Sequence, residues 1–193
     1  MIAVTATLLD DVLPEFDFGS RHARRVGASP QQVAIAAERY DLRRDSSPFV
    51  RLLFLARGLR VPGGSVRGAL SASGFSVIAE RPGEEIVAAT TGRFWALRER
   101  ANMESPADLE AFRGFARPGW AKAAASIRFE PGDDGSTNLV TETRVRCVDD
   151  AARRRFAQYW TLIKIFSGWI RRDLLRGIAR IAEGQADRAG APR

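Results

Sequence analysis

Few side chains in this sequence can do chemistry near neutral pH. His22 is the single histidine and the one group that titrates there without a large shift. A general base at His22 needs a partner, and Tyr40 and Glu142 are the candidates. Nothing in the spacing brings the three together, so a packed or exposed strand histidine is the stronger reading. Glu142 and Arg144 stand two apart in "TETRVRC" (141–147), which invites a catalytic role. A cross-strand ion-pair ladder with Arg128 or Glu130 accounts for them more simply, each exposed pair contributing about 0–1 kcal/mol. Cys147 has no His or Lys neighbour in sequence to activate it, so an inert buried thiol is expected. One cysteine and one histidine allow no intramolecular disulfide, no Cys-based zinc site and no multi-His cluster. No P-loop, dinucleotide fingerprint, nucleophile elbow or HExxH is present, and "VPGG" with "SVRG" is glycine-rich without the required pattern. The catalytic residues therefore stay unassigned, and no metal or cofactor is expected.

The bulk numbers bound the class. The chain has 193 residues, 45% hydrophobic and 27% charged, which suits one globular domain with a full-sized core. The net charge is +7 and the pI about 10.8, a balance that suits a nucleic acid or an anionic membrane. The detail points elsewhere. Nearly all the cations are arginines, spread along the chain among acids; the only lysines are Lys122 and Lys164. Arginine without lysine is what GC-rich coding produces, so no nucleic-acid partner is expected. No near-apolar run reaches the ~20 residues that span a bilayer. The start, "MIAVTATLLDDVLPEF", lacks a basic n-region and meets acids at Asp10 and Asp11, which makes it a poor signal peptide. A cytoplasmic protein without a transmembrane segment is the expectation.

The elements must position whatever the chain binds. "RHARRVGAS" (21–29) reads as a first strand. Ser29 then caps a helix that opens on Pro30, with Val33, Ala36, Ala37 and Tyr40 on one face. The stretch 45–59, which ends in "PFVRLLFLARGL", repeats the device: Ser46 or Ser47 caps, Pro48 begins, and Phe49, Leu52, Leu53 and Leu55 pack. "SVRGALSAS" (65–73) is a further short helix. The period then changes. "GFSVIAE" (74–80) and "EEIVAATTGRFW" (84–95) read as strands about "RPGE", with Pro82 and Gly83 at the centre of a type II turn. Arg93 and Trp95 share one face there, Gly92 and Phe94 the other, and Trp95 either gates a cavity or plugs the core. A polar connection follows, with a short helix capped by Ser105. "GWAKAAASIRFE" (119–130) and "TNLVTETRVRCV" (137–148) form a second hairpin. Thr141, Thr143, Val145 and Cys147 face inward, while Glu142, Arg144 and Arg146 face solvent or another element. From Asp149 or Asp150 a helix of over 30 residues, roughly 50 Å long, runs to about Glu183. Residues 184–193 are expected to form a flexible tail, and residues 1–183 a single domain.

Strands segregated from helices give the α+β class, and a one-sided antiparallel sheet needs a cover. The terminal helix is the one element long enough. Phe156, Trp160, Ile163, Ser167, Ile170, Leu174, Ile178 and Ile181 recur along it at three- and four-residue steps and mark the face for the sheet. Tyr159, Leu162, Phe166 and Trp169 widen that stripe. Gly168 costs the helix up to about 1 kcal/mol against Ala, tolerable where another group or a ligand comes close, or where the helix kinks.

This order, with "GFSVIAERPGEEIVAATTGRFW" (74–95), "GWAKAA" (119–124), "TETRV" (141–145) and "RFAQYWTLIKIFSGWIRRDLLRGIARIAE" (155–183), resembles a bacterial branch of the START-like, or SRPBCC, superfamily. The likeness covers roughly residues 18–183. It implies a helix-grip fold: a curved antiparallel β-sheet wrapped around a long C-terminal α-helix, with short helices after the first strand. It also implies an apolar cavity between sheet and helix, and the leading expectation is that a small hydrophobic or amphipathic ligand, such as a lipid, is sequestered or carried there. The candidates for the cavity wall are Phe75, Val77, Phe94, Trp95, Trp120, Thr141, Thr143, Phe156, Trp160 and Ile163. It implies no agreed activity, because one scaffold hosts carriers, cyclases and regulators. A polyketide cyclase or hydrolase-like enzyme and a ligand-free homodimeric interaction protein are the alternatives.

Overall fold

The computed structural model describes residues 6–56, 61, 63–72, 74–96 and 103–190. Strand β1 (Phe18–Val26) opens the sheet, and three short helices follow: α2 (Pro30–Arg39), α3 (Leu42–Asp45) and α4 (Pro48–Ala56). Helix α5 (Val66–Ala72) leads into the hairpin of β2 (Ser76–Arg81) and β3 (Glu85–Gly92). After β4 (Met103–Glu104) and α6 (Leu109–Gly114) come the long strands β5 (Ala121–Pro131) and β6 (Thr137–Cys147). Helix α7 (Asp150–Gly190) closes the chain, and α1 (Leu8–Val12) precedes everything. The sheet is antiparallel in the order β1-β6-β5-β3-β2, with β4 continuing alongside β3. This is the expected α+β, helix-grip arrangement: a curved open sheet with the long helix packed against its inner face. No helix among the described residues is long and apolar enough to cross a membrane.

Local chemistry explains most of the boundaries. Ser29 and Gln32 form a reciprocal capping box at α2, with Pro30 in its first turn. The β2–β3 turn carries Gly83 at φ 75°, as a type II turn requires, and the Glu84 N–H donates to the Arg81 carbonyl at 3.0 Å. Asp149 caps α7 by accepting the Ala152 N–H at 2.7 Å, and its other oxygen accepts the Gly119 N–H at 2.5 Å. One carboxylate thus fixes the start of the long helix to the start of β5.

Several expectations need correction. The first strand starts at Phe18, not Arg21, because pairing with β6 extends from Phe18–Val145 to Val26–Thr137. Helix α6 is capped by Asp108, which accepts the Ala111 N–H at 2.8 Å; Ser105 instead donates to the Gly74 carbonyl. Strand β3 ends at Gly92, where the Ala96 N–H closes a turn on the Arg93 carbonyl. That turn carries Phe94 and Trp95 to the same place, so they do not alternate. In α4, Phe49, Leu52 and Leu55 do not pack into the core but lie exposed, and Val50 is buried in their place. The side chain of Leu53 lies outside the described residues. Helix α7 continues past Glu183 to Gly190, since "GQADRAG" holds no proline and Ala186 still packs on the core.

Part of the outer face of the sheet, over β2, β3 and β5, is covered as well, which the alternation did not foretell. Helix α1 lays Leu9 and Val12, with Leu13 just beyond, on Val87, Ala89 and Ala124, and Phe112 of α6 joins them. The ion-pair ladder is real but lies under α1 instead of in water. Arg128 reaches Glu130 at 3.2 Å, Glu142 at 3.4 Å and Glu85 at 3.8 Å. Arg144 reaches Glu142 and Asp10 at 2.8 Å each and donates to the Leu13 carbonyl at 3.1 Å. Glu85 accepts the Leu8 N–H at 2.7 Å. Burial pushes the Glu85 carboxyl up, with the Leu8 N–H and Arg128 opposing. For Asp10 burial also pushes upward, but Thr7 and Arg144 prevail and hold its carboxyl at about 2.

Candidate functional site

Helix α7 packs firmly on the sheet toward both ends; in the middle it still meets β1 and β6, and a space opens between it and β5. At the N-terminal end Phe156 and Ala152 pack on Ala121, Ala123, Val145 and Cys147. Phe18, Phe94, Trp95, Tyr159 and Trp160 close around Phe156 with ring centroids 4.9–6.2 Å away. Toward the C-terminal end Leu175, Ile178, Ala179 and Ala182 meet Ile127, Phe129 and Leu139, and α2 wedges in with Val33, Ala36, Ala37 and Tyr40. Gly177 lets the fully buried Tyr40 ring approach, since a Cβ there would lie 2.2 Å from Tyr40 Cε2.

Between these two clusters lies a cavity of about 730 Å3. The cause can be read in β5: between Ala123, which packs under Phe156, and Ile127 its inner face carries only Ala125, and a methyl group cannot bridge sheet to helix. Thr143 and Thr141 of β6 and Ile163, Ser167, Ile170, Arg171 and Leu174 of α7 complete the inner wall. Glu38, Glu80, Gly83 and Met103 are exposed and form its rim. The volume falls within the roughly 300–1,000 Å3 of small-molecule sites.

Of the ten residues expected on the wall, seven line this cavity: Phe75, Phe94, Thr141, Thr143, Phe156, Trp160 and Ile163. Three do not. Val77 stands at the register shift between Val77 and Ala79 in β2. Trp95 packs edge-on against Phe156 at 6.1 Å and so plugs the aromatic end. Trp120 points to the other side of the sheet, where Arg117 stacks over its ring at 4.3 Å and Phe115 lies 5.7 Å away.

The chemistry-bearing residues divide between the two sides of the sheet. Glu142 and Arg144 belong to the ion network beneath α1. His22 pairs with Thr141 on the inner face but packs on the helix, not the cavity. Its imidazole is what approaches Gly168, where a Cβ would meet Cε1 and Nε2 at 3.5 Å. Ser20 Oγ lies 3.1 Å from His22 Nε2. Burial, then the charges of Arg172 and Arg171, lower the His22 pKa, so it stays neutral at pH 7. Among His22, Tyr40, Glu142 and Arg144, Tyr40 alone lines the cavity. Burial and the carboxylates of Asp173 and Asp45 push its phenol upward. Cys147 is buried, with its thiol pushed up to about 12 by burial and by Asp17. That is the inert thiol expected.

Arg171 was not anticipated. It sits one turn beyond Ser167 on the stripe that faces the sheet, so its side chain enters the cavity wall. Nη1 donates to Thr141 Oγ1 at 2.7 Å and Nε to Ser167 Oγ at 3.3 Å. The signal in the sequence was the arginine in "SGWIRRD" at helical spacing from Ser167 and Leu174.

No protein-family model and no curated protein matches the chain. Solved structures with a similar course include TTHA0849 from Thermus thermophilus, at 10% identity over 88% of this chain and 99% of that one, with a TM-score of 0.35. CalU16 from Micromonospora echinospora is 11% identical over 90% of this chain and 88% of that one, with a TM-score of 0.31. DR_A0006 from Deinococcus radiodurans is 12% identical over 77% of this chain and 98% of that one, with a TM-score of 0.29. The fold assignment rests on the chain's own architecture.

Proposed function

We propose that this chain is a START-like, SRPBCC-type domain that sequesters or carries a small hydrophobic or amphipathic molecule in the cytoplasm. The cavity between sheet and α7 carries this reading: about 730 Å3 bounded mainly by aliphatic and aromatic side chains. Binding would draw on apolar burial, at roughly 25 cal/mol per Å2 before the costs of association. Native mass spectrometry of the purified protein is expected to show a bound small molecule that leaves on denaturation. A protein that carries no such molecule, and that gives no saturable fluorescence with the neutral dye Nile red, would end this reading.

A second reading has its own observation. Leu162, Ile165 and Trp169 of α7 are 68%, 57% and 40% exposed, and Phe49 packs against Trp169 with ring centroids 5.0 Å apart. Together with Leu52 and Leu55 of α4 they form an apolar flank suited to a homodimer. Light scattering after size exclusion is expected to give a dimer for the wild type and a monomer for Trp169→Asp. Monomers in both cases remove the dimer.

A further inference from the structure

We propose that the cavity selects an amphipathic monoanion, an acyl-type carboxylate whose head group pairs with Arg171 and whose apolar body lies along Ile127, Ile170 and Leu174. This rests on the cavity reading above and adds the chemistry of the head group.

The guanidinium of Arg171 is surrounded by protein, yet part of its side chain remains accessible through the cavity that it lines. Among the described residues its two hydrogen bonds go to neutral hydroxyls, Thr141 Oγ1 and Ser167 Oγ. A guanidinium has about five N–H donors, so about three remain for another acceptor. Among the described residues no carboxylate pairs with it, and burial alone acts on its pKa, drawing it down to about 10. It is therefore a cation at neutral pH without a counter-charge. The other arginine of the lining, Arg67, already pairs with Glu80. A charge drawn partly out of water with no carboxylate beside it is costly, and an anion in the adjoining cavity would offset that cost.

The surroundings narrow that anion. Thr143 lines the same cavity two residues from Thr141, and its buried Oγ1 has no hydrogen-bond partner among the described residues. Thr141 Oγ1 lies 2.9 Å from the Ser126 carbonyl, to which it donates, which leaves its oxygen facing Arg171 as acceptor. The two hydrogen bonds hold the guanidinium in place, and its planar fork suits a carboxylate. A single cation neutralises one negative charge. A dianionic phosphate would carry its second charge into an apolar site. His22, the nearest titrating neighbour on β1, stays neutral and offers no second positive charge.

The test compares dodecanoate with 1-dodecanol as displacers of Nile red, near pH 8 where the acid is ionised. The quantity read is the ratio of the two affinities. It is expected to fall about tenfold or more from wild type to Arg171→Met, as loss of a charge-assisted hydrogen bond requires. Arg171→Lys should recover part of it. If both probes bind and the ratio is the same in wild type and Arg171→Met, the assignment of Arg171 is wrong and the cavity reading survives. If neither probe nor the dye binds wild type, the cavity reading itself falls, and this proposal with it. Should Arg171→Met fail to fold, carboxyl-labelled dodecanoate bound to wild type decides by NMR titration. Its pKa is expected below that of the free acid; an unshifted or raised value overturns the proposal.

Discussion

Phe156→Ala is expected to destabilise the protein by about 3–5 kcal/mol, the range for removing a buried aromatic ring. Phe156 is 2% exposed and stands at the centre of the aromatic end of the helix-grip. Its ring meets Phe18 at 4.9 Å, Tyr159 and Trp160 at 5.7 Å, Trp95 at 6.1 Å and Phe94 at 6.2 Å. These rings come from β1, the turn after β3 and α7, so no single element can collapse into the space left behind. The new void would also open into the existing cavity, since Phe156 lines it. Each kcal/mol is worth about 2–4 °C in a chain of this size, so the melting temperature should fall by roughly 10 °C. Urea denaturation followed by near-ultraviolet circular dichroism reads the change directly. A loss under about 1 kcal/mol, the usual scale for a surface site, would mean that Phe156 does not anchor α7.

Arg128→Met is expected to cost about 3–5 kcal/mol near neutral pH, because it strands carboxylates that have left water. The Arg128 and Glu85 side chains are 8% and 4% exposed, and Glu142 is 13% exposed. The sign of the pH dependence follows from Glu85. Burial already raises its folded-state pKa above the ordinary carboxylate value, with Arg128 opposing. Without Arg128 the folded protein holds that proton still more strongly than the unfolded chain does. Stability then rises as the pH falls from the folded-state pKa toward the unfolded one, so the deficit of the variant should be largest at neutral pH and shrink on acidification. A deficit that is flat with pH would show that lost packing, not the stranded charge, is responsible. Glu85 also accepts the Leu8 N–H at 2.7 Å, so hydrogen exchange in α1 should quicken before exchange in β5 and β6.

Much of this architecture was legible because its signals are local. Ser29, Pro30 and Gln32 specify the start of α2 through their own hydrogen bonds. Pro82 and Gly83 specify a turn through φ alone. The strict alternation of "TETRVRC" assigned Thr141, Thr143 and Val145 to one face, and all three line the cavity. The failures share a different cause. Trp120 read as a wall residue, but its face depends on which side of β5 turns inward, and pairing with β3 and β6 settles that. Phe49, Leu52 and Leu55 carry a core-like pattern with no core beside them, since periodicity records an apolar face and not what covers it. Helix α1 was invisible because five residues are too short for a period, though Thr7 and Asp10 form a capping box.

The sequence by itself determined the segregation of strands from helices, the two hairpins, the long terminal helix and the absence of a familiar catalytic motif. Each of these depends on neighbours in the chain or on a repeat of two or 3.6 residues. Only the tertiary structure decided that α7 leaves a cavity between its middle and β5, that α1 buries the ladder of Arg128, Glu142 and Arg144, and that Arg171 faces that cavity with no carboxylate paired to it among the described residues. The physical reason is the same in each case. A void, a charge drawn out of water and an unpaired donor are properties of the space between elements, and that space exists only once β5, with Ala123 and Ala125, and α7, with Ser167 and Arg171, line one cavity.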